Sequence, residues 1–216
     1  MKKYTQAEFD ALPVDEYGVK HCPTGDYTEI RSFGECCRFG AGCSFGAGCS
    51  FGEYCSFSEC CSFGEYCSFG ECCSFGAGCR FGECCSFGAG CRFGERCRFG
   101  EDCSFGEYCS FGECCSFGKG CRFGAGCSFG KGCSCEFGQF VSMLCAGGFG
   151  SCGRTTYFFR LSDGSICVRC GCFAGTLDEW AAKVKQTHGD SQIAQAYLLL
   201  IPAIKAQFER GGFCNG

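Results

Sequence analysis

The sequence predicts a mainly β protein, a parallel β-helix followed by a small α+β module that caps its C-terminal end. Three observations predict it. Phe recurs at Phe33, Phe39, Phe45 and every sixth position to Phe129; a cysteine stands four residues after each, from Cys37 to Cys133; and Gly follows each Phe except Phe57, where Ser58 stands. Seventeen units this regular mark an architecture in which each repeat buries its apolar side only against its neighbours.

The residue spacing assigns the faces. Six is even, so an extended chain returns each side chain to the same face, and Phe at position 1 shares its face with Cys at position 5. Both point inward. Residues between them, such as Glu53 and Tyr54 or Ala77 and Gly78, are polar or small and suit a solvent-facing corner, while Gly at position 2 suits a bend where a Cβ would interfere.

The unit resembles the hexapeptide repeat of left-handed β-helix proteins, with Phe in the place of the aliphatic residue and Cys in the small position. The resemblance implies a left-handed, triangular solenoid in which three units make one coil, giving about six coils and a stack roughly 27 Å tall. Phe33, Phe51, Phe69, Phe87, Phe105 and Phe123 would then form one ladder of offset-stacked rings. Three rings per coil leave room for Cys but not for Leu or Val, so the inner cysteines read as packing. Enzymes with this repeat are mostly acyltransferases that use a histidine near the coils and an extruded loop. Here His21 and His188 both lie outside the repeats and no loop interrupts them, so an acyltransferase would lack its base and its lid. Shafts of this kind often trimerise along their flat sides, which makes a homotrimer an expected assembly. Pentapeptide-repeat proteins have a period of five, and flat-faced antifreeze solenoids carry threonine ladders; these repeats have a period of six and contain no Thr.

The outward positions hold whatever function the shaft has. Cys36, Cys60, Cys72, Cys84 and Cys114 occupy position 4, too far apart along any face to pair, and read as free thiols. Arg80 and Arg98 fall one coil apart on one side, with Arg96 beside Arg98 and Arg92 around the preceding corner; these four are the candidate site for a small anionic ligand. Glu83, Glu95 and Glu101 are the carboxylates expected to balance them. Tyr54, Tyr66 and Tyr108 are exposed by register and available to a protein partner.

Both ends depart from the period. Residues 1–26, with Tyr4, Phe9, Leu12 and Val14, are expected to cap the solenoid of residues 27–138. Residues 139–216 form a second module. Apolar runs at 155–161 and 165–172 flank Ser162-Asp163-Gly164 as a hairpin; Thr176 and Glu179 make a capping box; Leu177, Trp180, Ala181 and Val184 follow at helical spacing to a stop at Gly189. A second helix starts near Asp190 or Ser191, buries Ile193, Tyr197, Leu200, Ile201, Ile204 and Phe208, and is expected to kink at Pro202. The run from Gly171 through Trp180, followed by His188-Gly189-Asp190, resembles the C-terminal module of uncharacterised bacteriophage and prophage proteins, which implies a viral origin and no activity. Cys167, Cys170 and Cys172 form a C-x-x-C-x-C pattern, a candidate metal or redox site. On an extended strand, however, Cys170 and Cys172 take one face and Cys167 the other, poor geometry for a tetrahedral site.

Composition narrows the function. Thirty cysteines on a fixed period are not the irregular scaffold of a secreted disulfide protein. Between positions 31 and 134 eleven acids face nine bases, which excludes nucleic acid as an expected partner; no apolar run reaches membrane-span length, and no cofactor motif is present. The expectation is a non-catalytic binding or scaffold protein, phage-encoded and active in the host cytoplasm, that engages a host protein or sequesters a small anionic ligand. The alternatives are a virion fibre or spike component and an acyltransferase or thiol-redox enzyme.

Overall fold

The computed structural model describes residues 1–149 and 154–210 and divides into two compact units, Met1–Glu136 and Phe137–Gly216. In the first unit each hexad contributes a short strand, as a rule position 6 and the following Phe (Cys37–Phe39 has three residues and Ser134–Cys135 ends in Cys), and a turn at positions 3 and 4. Strands pair in parallel with the strand eighteen residues on, Ser62 with Arg80 and Phe63 with Phe81, Ser68 with Ser86 and Phe69 with Phe87, Ser74 with Arg92 and Phe75 with Phe93. Three units therefore make one coil, and the coils stack into three parallel sheets, one per side.

The backbone bonds that hold the coils recur at fixed places. The position-6 N–H donates to the Cys carbonyl of the coil beneath (Arg80 to Cys61, 2.9 Å), and the position-2 N–H to the Phe carbonyl beneath (Gly82 to Phe63, 3.0 Å). At the corners the position-4 N–H donates upward to the position-3 carbonyl of the next coil, as Cys60 does to Ala77 at 2.9 Å. The position-2 carbonyl faces inward and accepts the thiol of the cysteine one coil on: Cys55 to Gly34 at 3.3 Å, Cys91 to Gly70 and Cys121 to Gly100 at 3.4 Å. The inner position holds a small apolar side chain that is also a donor, which neither Ala nor Val supplies.

Inside, rings on one side stack at one coil spacing, Phe51 on Phe69 at 4.8 Å and 1°, Phe69 on Phe87 at 4.8 Å and 3°. Rings on adjoining sides meet edge to face, Phe51 and Phe57 at 5.0 Å and 90°. Both arrangements suit the quadrupole of the ring, and each pair contributes about 0.5–1.5 kcal/mol beyond area burial.

The corner departs from the expectation about Gly. Position 4 of all seventeen hexads has positive φ: ten are non-glycine residues, among them Cys60 (59°), Arg96 (58°) and Tyr108 (57°), and seven are glycines. Position 2 never does; from Gly52 onward its glycine is required by close stacking on the coil beneath. A Cβ on Gly82 would lie 2.7 Å from the backbone nitrogen of Glu65 in the coil beneath. The left-handed turn residue is thus position 4, while position 2 is small because the next coil presses on it.

The coiled path begins before the first Phe. Lys20–Cys22 pairs with Cys37–Phe39, and Tyr27 stands beneath Phe45 in the ring ladder, 5.5 Å away and stacked. The short helix Gln6–Asp10, opened by a Thr5–Glu8 capping box, lays Phe9 edge-on against Phe33 at 5.1 Å, and Tyr4 stacks under Tyr27 at 4.7 Å, so aromatic side chains close the bottom of the core.

The second unit is an antiparallel sheet of four strands, Gly138–Phe149, Arg154–Leu161, Ile166–Cys170 and Phe173–Thr176, with helices Leu177–His188 and Gln192–Glu209. The predicted hairpin is present, turned at Gly164 (φ 87°), and a strand on each side of it was not foreseen. The Thr176–Glu179 capping box opens the first helix and Gly189 ends it; Ser191 caps the second, which continues through Pro202. Trp180 is the centre of the core, edge-on to Phe158 at 5.5 Å and to Tyr197 at 5.6 Å. Among the described residues no helix is long and apolar enough to cross a membrane.

Candidate functional site

The outer face of each side consists of positions 6 and 2, hence of Ser or Arg alternating with Gly, with every side chain between them turned inward. On this plain surface Arg80 and Arg98 are register partners in adjacent strands, both exposed. Arg96 is exposed at the corner that precedes Arg98, and Arg92 lies on the adjoining side, in register with Ser74 and Ser110. The structure therefore brings Arg80, Arg98 and Arg96 together and places Arg92 in a different sheet. Among the described residues none of the four forms an ion pair within 4 Å, so Glu83, Glu95 and Glu101 do not neutralise them by contact.

The corner thiols of Cys60, Cys72 and Cys114 are exposed, and those of Cys36 and Cys84 half-buried; every cysteine among the described residues is free. Corner side chains fold over the next coil, the Cys60 sulfur lying 3.5 Å from where a Cβ on Gly78 would be. Tyr66 is exposed, with its phenol pushed up by the Cys84 thiol beside it. The inner thiols are buried, apart from that of Cys127, which is half-buried. Hydrogen bonding to the thiols of neighbouring coils, then burial, pushes those of Cys49, Cys55, Cys85, Cys91, Cys121 and Cys133 up, so they remain S–H donors.

In the second unit Cys170 is half-buried on the helix-facing side of its strand and accepts a hydrogen bond from the Thr156 hydroxyl at 3.2 Å. Cys167 projects from the opposite side and is buried, which raises its thiol pKa; Cys172 is exposed in the turn after Gly171. The three sulfurs do not converge, and among the described residues no group of three or more His, Cys, Asp or Glu side chains could hold a metal ion.

One site escaped the sequence reading. At the base of the shaft a hollow of about 340 Å³ opens on the side that carries Lys20–Cys22, lined by His21, Cys22, Pro23, Arg38, Phe39, Gly40 and Ser58. His21 and Arg38 are register partners in adjacent strands. The His21 ring is held by Asp15, Nε2 to Oδ2 at 2.7 Å, and the same carboxylate accepts the backbone N–H groups of Tyr17 and Val19 at 3.0 Å. His21 and these amides hold the Asp15 carboxyl below the usual carboxylate range. The signal that could have found the hollow was visible: Ser58 is the one hexad position 2 that is not glycine, and it forms the upper wall.

No protein-family model, no curated protein and no solved structure matches the chain.

Proposed function

We propose that the protein is a non-catalytic scaffold that presents the Arg80–Arg98 face to an acidic surface of a partner protein. The observation that carries this reading is the pair of exposed guanidinium groups, in register on a rigid face of Ser and Gly, with no carboxylate in contact. Two forked donors one coil apart suit bidentate recognition of carboxylates on a partner, and a stiff backbone lowers the entropy lost on docking. The likeness of the terminal module to phage-encoded proteins supports a viral gene product acting on a host protein in the host cytoplasm, and the likeness of the hexad supports left-handed winding.

The test is a pull-down from bacterial lysate with the parent chain and with Arg80→Ser/Arg98→Ser, which installs the repeat's own residue at both places. The reading expects a specific partner that the double variant loses while its circular dichroism and melting temperature are unchanged. A partner retained equally by both chains, or no partner at all, removes it; recovery of the protein in purified phage particles would favour a structural role in the virion.

A further inference from the structure

We propose that the hollow at the base of the shaft is a binding site for a small oxyanion, a carboxylate or a phosphate, held by the Arg38 guanidinium and the Ser58 hydroxyl. Two independent observations lead there. The first is chemical. Arg38 is the one fully charged side chain among the lining residues, no carboxylate lines the hollow, and neither the Arg38 guanidinium nor the Ser58 hydroxyl has a hydrogen-bond or ion-pair partner among the described residues. His21 supplies the third polar wall, its ring fixed by Asp15. A forked cation with a hydroxyl donor facing the same space is the usual recognition of a planar or tetrahedral oxyanion.

The second observation is steric. A Cβ at position 2 is pressed by the coil beneath in other units: on Gly64 it would lie 2.5 Å from a backbone nitrogen, on Gly76 2.7 Å, on Gly82 2.7 Å. Ser58 carries a Cβ at that position, which the other hexads leave bare, and it does so at the one place where the hydroxyl borders a hollow. A local rule broken beside unpartnered donors is the pattern of a binding site. A volume of about 340 Å³, at the small end for ligand pockets, limits the occupant to inorganic phosphate or a short carboxylic acid.

The repeat supplies its own controls, because Arg38→Ser and Ser58→Gly each install the residue most units carry. The experiment is a titration of the full chain, at low ionic strength, with inorganic phosphate and separately with succinate, followed by amide chemical shifts. The parent chain should show saturable shifts at His21, Gly40 and Ser58, and the tighter of the two arms identifies the class. Affinity should fall about tenfold or more in each variant, the loss expected for a charge-assisted contact, and stay unchanged in Arg98→Ser. No saturable shift with either probe, parent-like binding by Ser58→Gly, or an equal loss in Arg98→Ser would overturn the site. The Arg80–Arg98 reading is untouched by any of these results, since its readout is a protein partner.

Discussion

The shaft and the terminal module reach a buried core by opposite routes. In the shaft Phe81 stacks on Phe63 and Phe99 and meets Phe69, Phe75, Phe87 and Phe93 edge-on, and the same six-ring environment recurs one unit later around Phe87. In the module one residue, Trp180, joins a sheet residue, Phe158, to a residue of the second helix, Tyr197, and nothing else duplicates it. Repetition spreads stability over many nearest-neighbour contacts, whereas a core built once concentrates it.

The largest effect that separates the two regions should come from alkali. In the shaft the thiols of neighbouring coils, together with burial, push Cys61, Cys79 and Cys97 up to about 12, while the same coupling pulls Cys73, Cys103, Cys109 and Cys115 down to about 4; an unfolded thiol ionises near 8.5. A group whose pKa is raised on folding contributes stability that is complete below the unfolded value and is lost as pH climbs toward the folded one. Each such thiol should remove about 1.4 kcal/mol per pH unit above roughly 8.5. Only the raised thiols of the shaft act in this way, since the lowered ones are ionised in both states above that pH; in the module burial raises only Cys145 and Cys167 among the described residues. Under reducing conditions, amide exchange from pH 8 to 10.5 should show the shaft losing protection before the module. The reverse order would mean that the thiols do not donate as placed.

Core truncation sharpens the same contrast. Trp180→Ala and Phe81→Ala should each cost about 3–5 kcal/mol where they occur. In the module that loss should unfold the whole unit, because a small domain has only a few kcal/mol in reserve. In the shaft it should loosen the coils next to Phe81 and leave distant coils protected. Exchange mass spectrometry decides, and global loss of protection in Phe81→Ala would break the nearest-neighbour picture.

A smaller pair of changes tests the stacking constraint. Gly82→Ser forces a Cβ against the Glu65 nitrogen and should destabilise by about 1–3 kcal/mol. Ser58→Gly removes the Cβ at the corresponding place and should raise the melting temperature. If both substitutions are neutral, position 2 is glycine for some reason other than close approach.

How far the sequence foretold these features depended on whether the causal residue had a distinctive type. The period, the inward Phe and Cys and the stacked ladders were legible, because an even repeat fixes the face of every side chain. The left-handed corner was hidden: Cys, Tyr and Arg at position 4 give no hint of positive φ, and the glycine that did hint at a turn was at position 2 for another reason. The thiol-to-carbonyl ladder was invisible for a related cause, since a cysteine that packs and one that donates look alike until the carbonyl is in place. Tyr27 and Cys22 continue the coil before the repeat is recognisable because they fill the Phe positions without spelling the motif. In the module the Trp180 helix could be read from its capping box, but the strand Gly138–Phe149 could not, its three glycines and its run of apolar and small residues giving no alternation. Of the candidate site, Ser58 was visible as an exception, but its partners Arg38 and His21 become neighbours only through coil register.

Acid should produce the smallest effect, and in the region alkali spares. The Glu179 carboxylate accepts the Thr176 N–H at 2.8 Å and its hydroxyl at 2.9 Å, and these bonds hold its pKa below the usual range. A carboxyl whose pKa falls on folding contributes stability that is present above its unfolded value, near 4, and disappears as pH drops through the folded one. Protonation below pH 4 therefore removes half of the capping box that opens the helix Leu177–His188, and the first turn should fray while Trp180 stays packed. Amide exchange at Asp178 and Glu179 should accelerate between pH 4.5 and 3, roughly the window set by the carboxylate pKa. Thr176→Ala should make those amides fast at every pH and abolish the dependence, at a cost of about 1 kcal/mol. A pH response that survives Thr176→Ala would show that the acid-sensitive contact of the module lies outside this helix cap.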